Sequence, residues 1–282
     1  MQIGLRRSLV PALGLVLLYV VPLAAQAPVR KVNLYDKFQF SLSLTDVILN
    51  SEFQIDGSGG SGTDVDAEDD LGMDKHKLQP RGAMRWRPGR RHEIEAGYQF
   101  ARRGAEKRLE RDIEVADTVF NVGVDLNTTF NTDQVFLAYR FAFMAKERTQ
   151  VGLALGLGAL LLDLGMEAQV AGRPVAVSKS VTGPLGSLGL YGRFLSGDRW
   201  YFEVEGRYVG ISIDRFNIDV LEGGAAARYH LSEAIGLELG WAFSGIDVGI
   251  DQKQLETGGE GILSGNIKYS LQSIRLALVW VP

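Results

Sequence analysis

Apolar and polar positions alternate along nearly the whole of this chain from Phe38 to Trp280. Successive side chains of a strand point to opposite faces, so a period of two assigns each residue to one of two surfaces. Ten runs follow that period, near 36–56, 77–87, 92–104, 119–144, 149–170, 182–195, 199–213, 217–231, 235–250 and 266–280. In the last of them Ile274, Leu276, Leu278 and Trp280 share one face, and Ser273, Arg275, Ala277 and Val279 share the other. A soluble sandwich alternates as well. Repetition over the whole chain, together with the segment that precedes it, points instead to strands that meet hydrocarbon on one side.

That segment carries Arg6 and Arg7, an apolar run from Leu9 to Leu23, and then the small residues Ala24, Ala25 and Ala27. It reads as a secretory signal peptide over 1–27, with Ala25-Gln26-Ala27 as the small-x-small cleavage site. The apolar run is shorter than the ~20 residues a spanning helix needs. No later segment reaches that length without a charge or a break, so the exported chain spans a membrane as a barrel or not at all. The expected fold is all-β: one antiparallel transmembrane β-barrel over 28–282, of about ten strands with eight or twelve as alternatives. No peptidoglycan-binding tail is expected beyond the last strand.

The connections sort into short turns at 88–91, 145–148, 196–198 and 232–233 and long polar loops at 57–76, 105–118, 171–181 and 251–265. Bacterial barrels keep short turns on the periplasmic side and long loops outside. The connection at 214–216 is the exception, being short on the side of the long loops. Trp86, Phe143, Phe194, Trp200, Tyr229 and Trp280 flank the short turns, where an interfacial aromatic girdle belongs.

Parity then separates the faces. The lipid-facing set includes Ile94, Tyr98, Phe100, Val135, Leu137, Tyr139, Phe141, Leu153, Leu155, Leu157, Leu188, Leu190, Phe202, Val204, Tyr208, Leu237, Leu239, Trp241 and Phe243. None of these is charged, and a charge there would cost about 2–4 kcal/mol at the midplane. The opposite parity collects Arg81, Arg85, Glu93, Glu95, Arg140, Arg193, Glu203, Glu205, Arg207, Arg228, Glu238 and Arg275. In a narrow barrel these side chains interdigitate as ion pairs and fill the lumen. In a wider one they line a pore and set its selectivity. Ile267, Tyr269 and Leu271 break the parity of the last run, which predicts either a β-bulge near Gln272 or a hairpin arm above the membrane.

Composition narrows the chemistry. With no cysteine there are no disulfides, thiolate metal sites or cysteine nucleophiles. The formal charge of −4 includes both signal arginines, so the exported chain is two units more acidic and no nucleic-acid partner is expected. Mean hydropathy near zero suits a barrel with one polar face.

The signal peptide, the Gly-rich alternating strands, segments such as Phe38-Gln39-Phe40-Ser41-Leu42-Ser43-Leu44 and Gln134-Val135-Phe136-Leu137-Ala138-Tyr139-Arg140-Phe141, and the closing strand to Trp280 resemble small outer-membrane β-barrel proteins of the broad OmpA/OmpW-like type. The resemblance implies the outer membrane of a Gram-negative-type bacterium as the location. It implies outer-membrane lipid, lipopolysaccharide and the barrel-assembly machinery as partners. It also implies an aromatic closing signal, which Val281 and Pro282 displace here.

Few residues carry chemistry. His76 lies near Asp69, Asp70 and Asp74, a grouping similar to the Asp and His/Asp sets of outer-membrane proteases, but no spacing defines a dyad. His92 and His230 border short turns. Asp64, Asp66, Glu68, Asp69 and Asp70 form a weak calcium candidate whose spacing departs from the EF-hand series, the other reading being a solvated acidic loop. Arg102, Arg103, Lys107, Arg108 and Arg111 suit lipopolysaccharide phosphates, or else pair with the acidic loop. No cofactor and no catalysis are expected. The expected role is structural or surface-interacting, with a narrow passive channel for small or apolar solutes as the alternative and an envelope hydrolase third.

Overall fold

The structure, a computed structural model, describes residues 32–57, 62–115, 117–170, 173–213, 216–250 and 265–282. The expected signal peptide, residues 214–215 of the expected short connection and residues 251–264 of the expected long loop lie outside the described residues. In chain order the strands are β1 (Phe38–Ile55), β2 (Val65–Asp66), β3 (His76–Trp86), β4 (His92–Arg108), β5 (Ile113–Val115), β6 (Thr118–Phe120), β7 (Asp125–Ala145), β8 (Thr149–Val170), β9 (Arg173–Ser196), β10 (Trp200–Ile213), β11 (Phe216–His230), β12 (Ile235–Ile250) and β13 (Gly265–Trp280). Ten of these form one antiparallel ring in the order β13-β12-β11-β10-β9-β8-β7-β4-β3-β1. Pairing of β1 with β13, from Phe40↔Trp280 to Ile55↔Gly265, closes it. Closure satisfies the backbone groups that an open edge would leave bare in hydrocarbon.

The barrel changes polarity along its length. In the half nearest the short turns the outside is apolar: Leu42, Val135, Leu157, Leu188, Leu239 and Ile274 are all exposed. In the far half the same strands turn Asn50, Glu52, Asn127, Glu167 and Lys268 outward, and most of their inward residues are apolar. Val47, Leu49 and Phe53 of β1, Phe130 of β7, Leu160, Leu162, Leu164 and Met166 of β8, Val177 of β9, Val220 of β11 and Ile246 of β12 make one buried core across the lumen. Phe53 and Phe130 stack across it with ring centroids 6.1 Å apart. Half the barrel is therefore dressed for lipid and half for water, on continuous strands.

The polarity change accounts for the parity break in the last run. No bulge occurs at Gln272, because β13 keeps an unbroken register from Gly265 to Trp280 with both neighbours. Ile267, Tyr269 and Leu271 face inward like Ser273 and Arg275, and pack in or against the apolar core. The register shift that does occur lies between Ala142 and Met144 on β7. The expected loop at 171–181 is also absent, since β8 and β9 pair up to Val170↔Arg173. Val175 and Val177 there supply the inward apolar row.

The first long segment completes the wall rather than standing in solvent. Pairing of β3 with β4 stops at Arg81↔Gln99. Beyond that level residues 62–75 follow β1, through β2 and the bonds Leu49 N–H to Lys75 O (2.8 Å) and Ala67 N–H to Ser51 O (2.8 Å). Val65, Ala67, Leu71 and Met73 of this segment, with Leu109, Ile113, Val115 and Phe120 from the β4–β7 connection, join the apolar core.

Met166→Ala should lower the stability of the folded barrel by about 2–5 kcal/mol, because Met166 is fully buried and its loss leaves a cavity. The adjacent outward Glu167→Ala should change it by less than about 0.5 kcal/mol. Urea unfolding of the two variants side by side checks the assignment of inside and outside in this half.

Candidate functional site

Alternation on the lower strands delivers the charged side chains to the lumen, and the small residues facing them leave the room. Gly152, Ala154 and Gly156 of β8 and Gly189 of β9 are inward; Gly156 and Gly189 lie against Arg207, and Gly152 against the Tyr191 ring. A Cβ on Gly156 would stand 2.5 Å from Arg207 Nη1, so this wall is built to the guanidinium.

All twelve expected lumen residues turn inward and each forms at least one ion pair. Arg193 donates to both oxygens of Glu93 (2.6 and 2.7 Å) and through Nε to Glu203 (3.0 Å). Arg85 reaches Glu95 (2.9 Å), Glu203 (3.2 Å) and Glu93 (3.3 Å). Arg140 joins Glu93 (3.1 Å), Glu95 (2.9 Å) and Glu205 (2.8 Å). Arg81 takes Glu95 at 3.0 Å, and Arg207 bridges Glu205 (2.8 Å) and Glu222 (3.3 Å). Glu238 is shared by Arg228 (2.6 Å) and Arg275 (2.8 Å). Arg193 and Glu93 are only 1% exposed, deep enough that either alone would be an uncompensated buried charge.

Two members escaped the sequence reading although parity marks both. Arg87 continues the odd-numbered row of Arg81 and Arg85, and donates to Glu93 and to the Leu34 carbonyl. Glu222 shares the even parity of Arg228 on β11. Tyr201 adds a neutral donor to Glu203.

Above this cluster lies a cavity of about 260 Å³. Arg85, Arg140 and Glu203 line one end of it, and Val47, Leu160, Val220 and Ile246 of the apolar core line the other. The lumen is thus ionic near the short turns, hollow and polar in the middle, and apolar beyond.

The aromatic set lies at the short-turn end. Trp86, Phe143, Phe194, Trp200 and Trp280 face outward, and Tyr229 packs edge-on beneath Trp200 at 5.0 Å while accepting a hydrogen bond from Arg199. His92 bonds Tyr139 on the outer face (2.7 Å), and His76 faces Asp46 there at 3.7 Å rather than Asp69, Asp70 or Asp74.

Two expectations at the loop end need correction. Arg103 is not available to lipopolysaccharide: it is inward and buried, bonded to Glu68 and to Ser51 Oγ (2.9 Å), because its parity on β4 carries it into the core. Lys107 donates to the Asp69 carbonyl, and Arg111 grips Asp70 through Nε (2.9 Å) and Nη2 (2.5 Å), so the basic stretch is largely bound to the acidic segment. Arg102 faces outward and pairs with Asp133 at 2.8 Å, and Arg108 is exposed. The calcium reading of Asp64, Asp66, Glu68, Asp69 and Asp70 also falls. Asp66 accepts the Glu68 and Asp69 amides (2.9 and 2.6 Å), Glu68 is spent on Arg103, and Asp70 on Arg111. Among the described residues no group of three such side chains converges on a metal position.

No protein-family model matches the chain, and no curated protein matches it in sequence. Among solved structures it is similar to the outer membrane protease OmpT from Escherichia coli, with a TM-score of 0.56 and 9% identity over 89% of this chain and 98% of that one. It is more loosely similar to the toluene transporter TodX of P. putida (TM-score 0.36, 9% identity, 88% and 90% covered). The translocator domain of autotransporter NalP from Neisseria meningitidis is another such structure (0.39, 12%, 96% and 95%). The likeness is one of fold. This chain has the architecture of outer-membrane β-barrel proteins.

Two outcomes follow. Glu93→Gln strands Arg85, Arg87, Arg140 and Arg193 together and should cost about 3–5 kcal/mol in urea unfolding; an unchanged midpoint would show that the cluster does not hold the barrel. At the loop end, the hydrogen bond from Arg111 holds the Asp70 carboxyl below its usual 3.8. Its contribution is complete above that value and lost as pH falls through the lowered one. Asp70→Asn should therefore speed amide exchange in 62–75 at neutral pH, with the difference vanishing as pH falls well below 3.8.

Proposed function

We propose that this protein is a closed outer-membrane barrel with a structural or surface-interacting role, not a conduit or an enzyme. One observation carries the reading: the lumen is obstructed at two levels by two different chemistries. Ion pairs around Glu93 and Arg193 fill it near the short turns, and a buried apolar core crosses it near the loops. A passive pore needs a continuous polar path. The outward apolar belt and the aromatics at the short-turn end support a membrane location with the short turns in the periplasm.

Outside the membrane the protein presents a polar collar, closed at its end by the 62–75 segment and the β5–β6 hairpin. Of the basic stretch, Arg102 and Arg108 are the outward residues left for lipopolysaccharide phosphate, Arg103 being buried. Interaction through this collar, rather than passage through the barrel, is the function assigned here.

Single-channel recording of the refolded mature protein in a planar bilayer tests this. Silence is expected from barrels whose insertion is verified by heat-modifiable gel mobility. Reproducible openings whose size or selectivity changes on Arg140→Ala or Arg207→Ala would overturn the reading in favour of a narrow channel.

A further inference from the structure

Charge inside the lumen does not balance. Among the described residues below the apolar core, eight arginines face six glutamates. Arginine does not shed its proton in a protein, so the surplus must be met by something else. One surplus lies at the short-turn end, where Arg87 and Arg193 share Glu93 and Arg87 also donates to the Leu34 and Asp36 carbonyls. The other belongs to the cavity.

The register shows where it concentrates. Arg81 and Arg275 flank β1, opposite Ser43 and Thr45 respectively, and both line the cavity. Arg81 gives one nitrogen to Glu95 and lies over the Phe136 ring, 4.5 Å from its centroid. Among the described residues Arg275 reaches only Glu238, a carboxylate that Arg228 already holds, and its buried Nε has no partner there. The cavity wall beside them carries the hydroxyl and amide groups of Thr45, Gln79, Gln99 and Ser273, together with the Glu95 and Glu238 carboxylates on which the two arginines rest. Two half-paired cations beside hydroxyl and amide groups form the donor set of a small-anion site.

We propose that the lumen cavity holds one monovalent anion of the size of chloride between Arg81 and Arg275. A single negative charge matches the single cation left over there. The cavity has room for the ion with water around it. This goes beyond the closed-barrel reading and does not depend on it, since an anion lodged at this level is compatible with conduction or silence.

Bromide is the probe. Crystals of the refolded protein grown in bromide should show an anomalous peak between the two guanidiniums. Thermal unfolding in detergent should show a saturable upward shift of Tm in bromide or chloride, relative to gluconate at equal ionic strength. Arg275→Gln removes the surplus charge but leaves the Arg228–Glu238 pair, and should abolish both signals. Arg275→Lys should retain both. No bromide in the lumen of the wild-type protein, or a halide shift that survives Arg275→Gln, would overturn the proposal whatever the conductance.

Discussion

The governing constraint is that one set of strands passes from hydrocarbon into water without interruption. A strand has two faces, and the demand on its outer face reverses partway along. The inner face has to reverse with it if the protruding half is to have a core. Leu153, Leu155 and Leu157 point outward on β8, and a few residues later Leu160, Leu162, Leu164 and Met166 point inward. Between them the two patterns overlap at Leu160–Leu161, where both faces are apolar. The long loops gain their structure from this reversal. Residues 62–75 and the β5–β6 hairpin carry apolar side chains because they cap an apolar interior, and their carboxylates are taken up by Arg103 and Arg111.

The lower lumen solves a different problem. A narrow barrel in lipid leaves an interior that could fill with apolar side chains, but this one fills with arginine and glutamate. Buried ion pairs are weak contributors to stability relative to a packed apolar core, while a broken pair is strongly destabilising. The network therefore acts chiefly as a register device: the arginines have to meet glutamates that they share, and a strand slipped by one residue would carry those charges into lipid. Small residues on β8 and β9 provide the facing space, so the volume of the interior and its charge pattern are matched across the barrel.

These two fillings obstruct the lumen independently. Loss of one would leave the other in place, which distinguishes this interior from a gate that a single rearrangement could open. The polar cavity between them follows from the same geometry, as the space that neither the arginines below nor the apolar residues above can reach.

Alternation by itself marked the ten long strands, though not their full extent, and the face on which their residues lie, because these follow from the period of two. It placed Arg140 and Glu203 inward, and it would have placed Arg87 and Glu222 there had their parity been followed to the ends of the runs. It could not tell what inward meant at each height. Ile267 and Tyr269 looked misplaced because an inward apolar residue is anomalous in a lipid-level strand and ordinary above it. Nor did local pattern foretell partners. Arg193 and Glu93 are 100 positions apart, and Arg103 met Glu68 rather than lipopolysaccharide because the wall between β1 and β4 needed filling. Which side chains share a face is a property of the strand. What they touch across the lumen depends on the closure of the ring, and only the tertiary structure decided it.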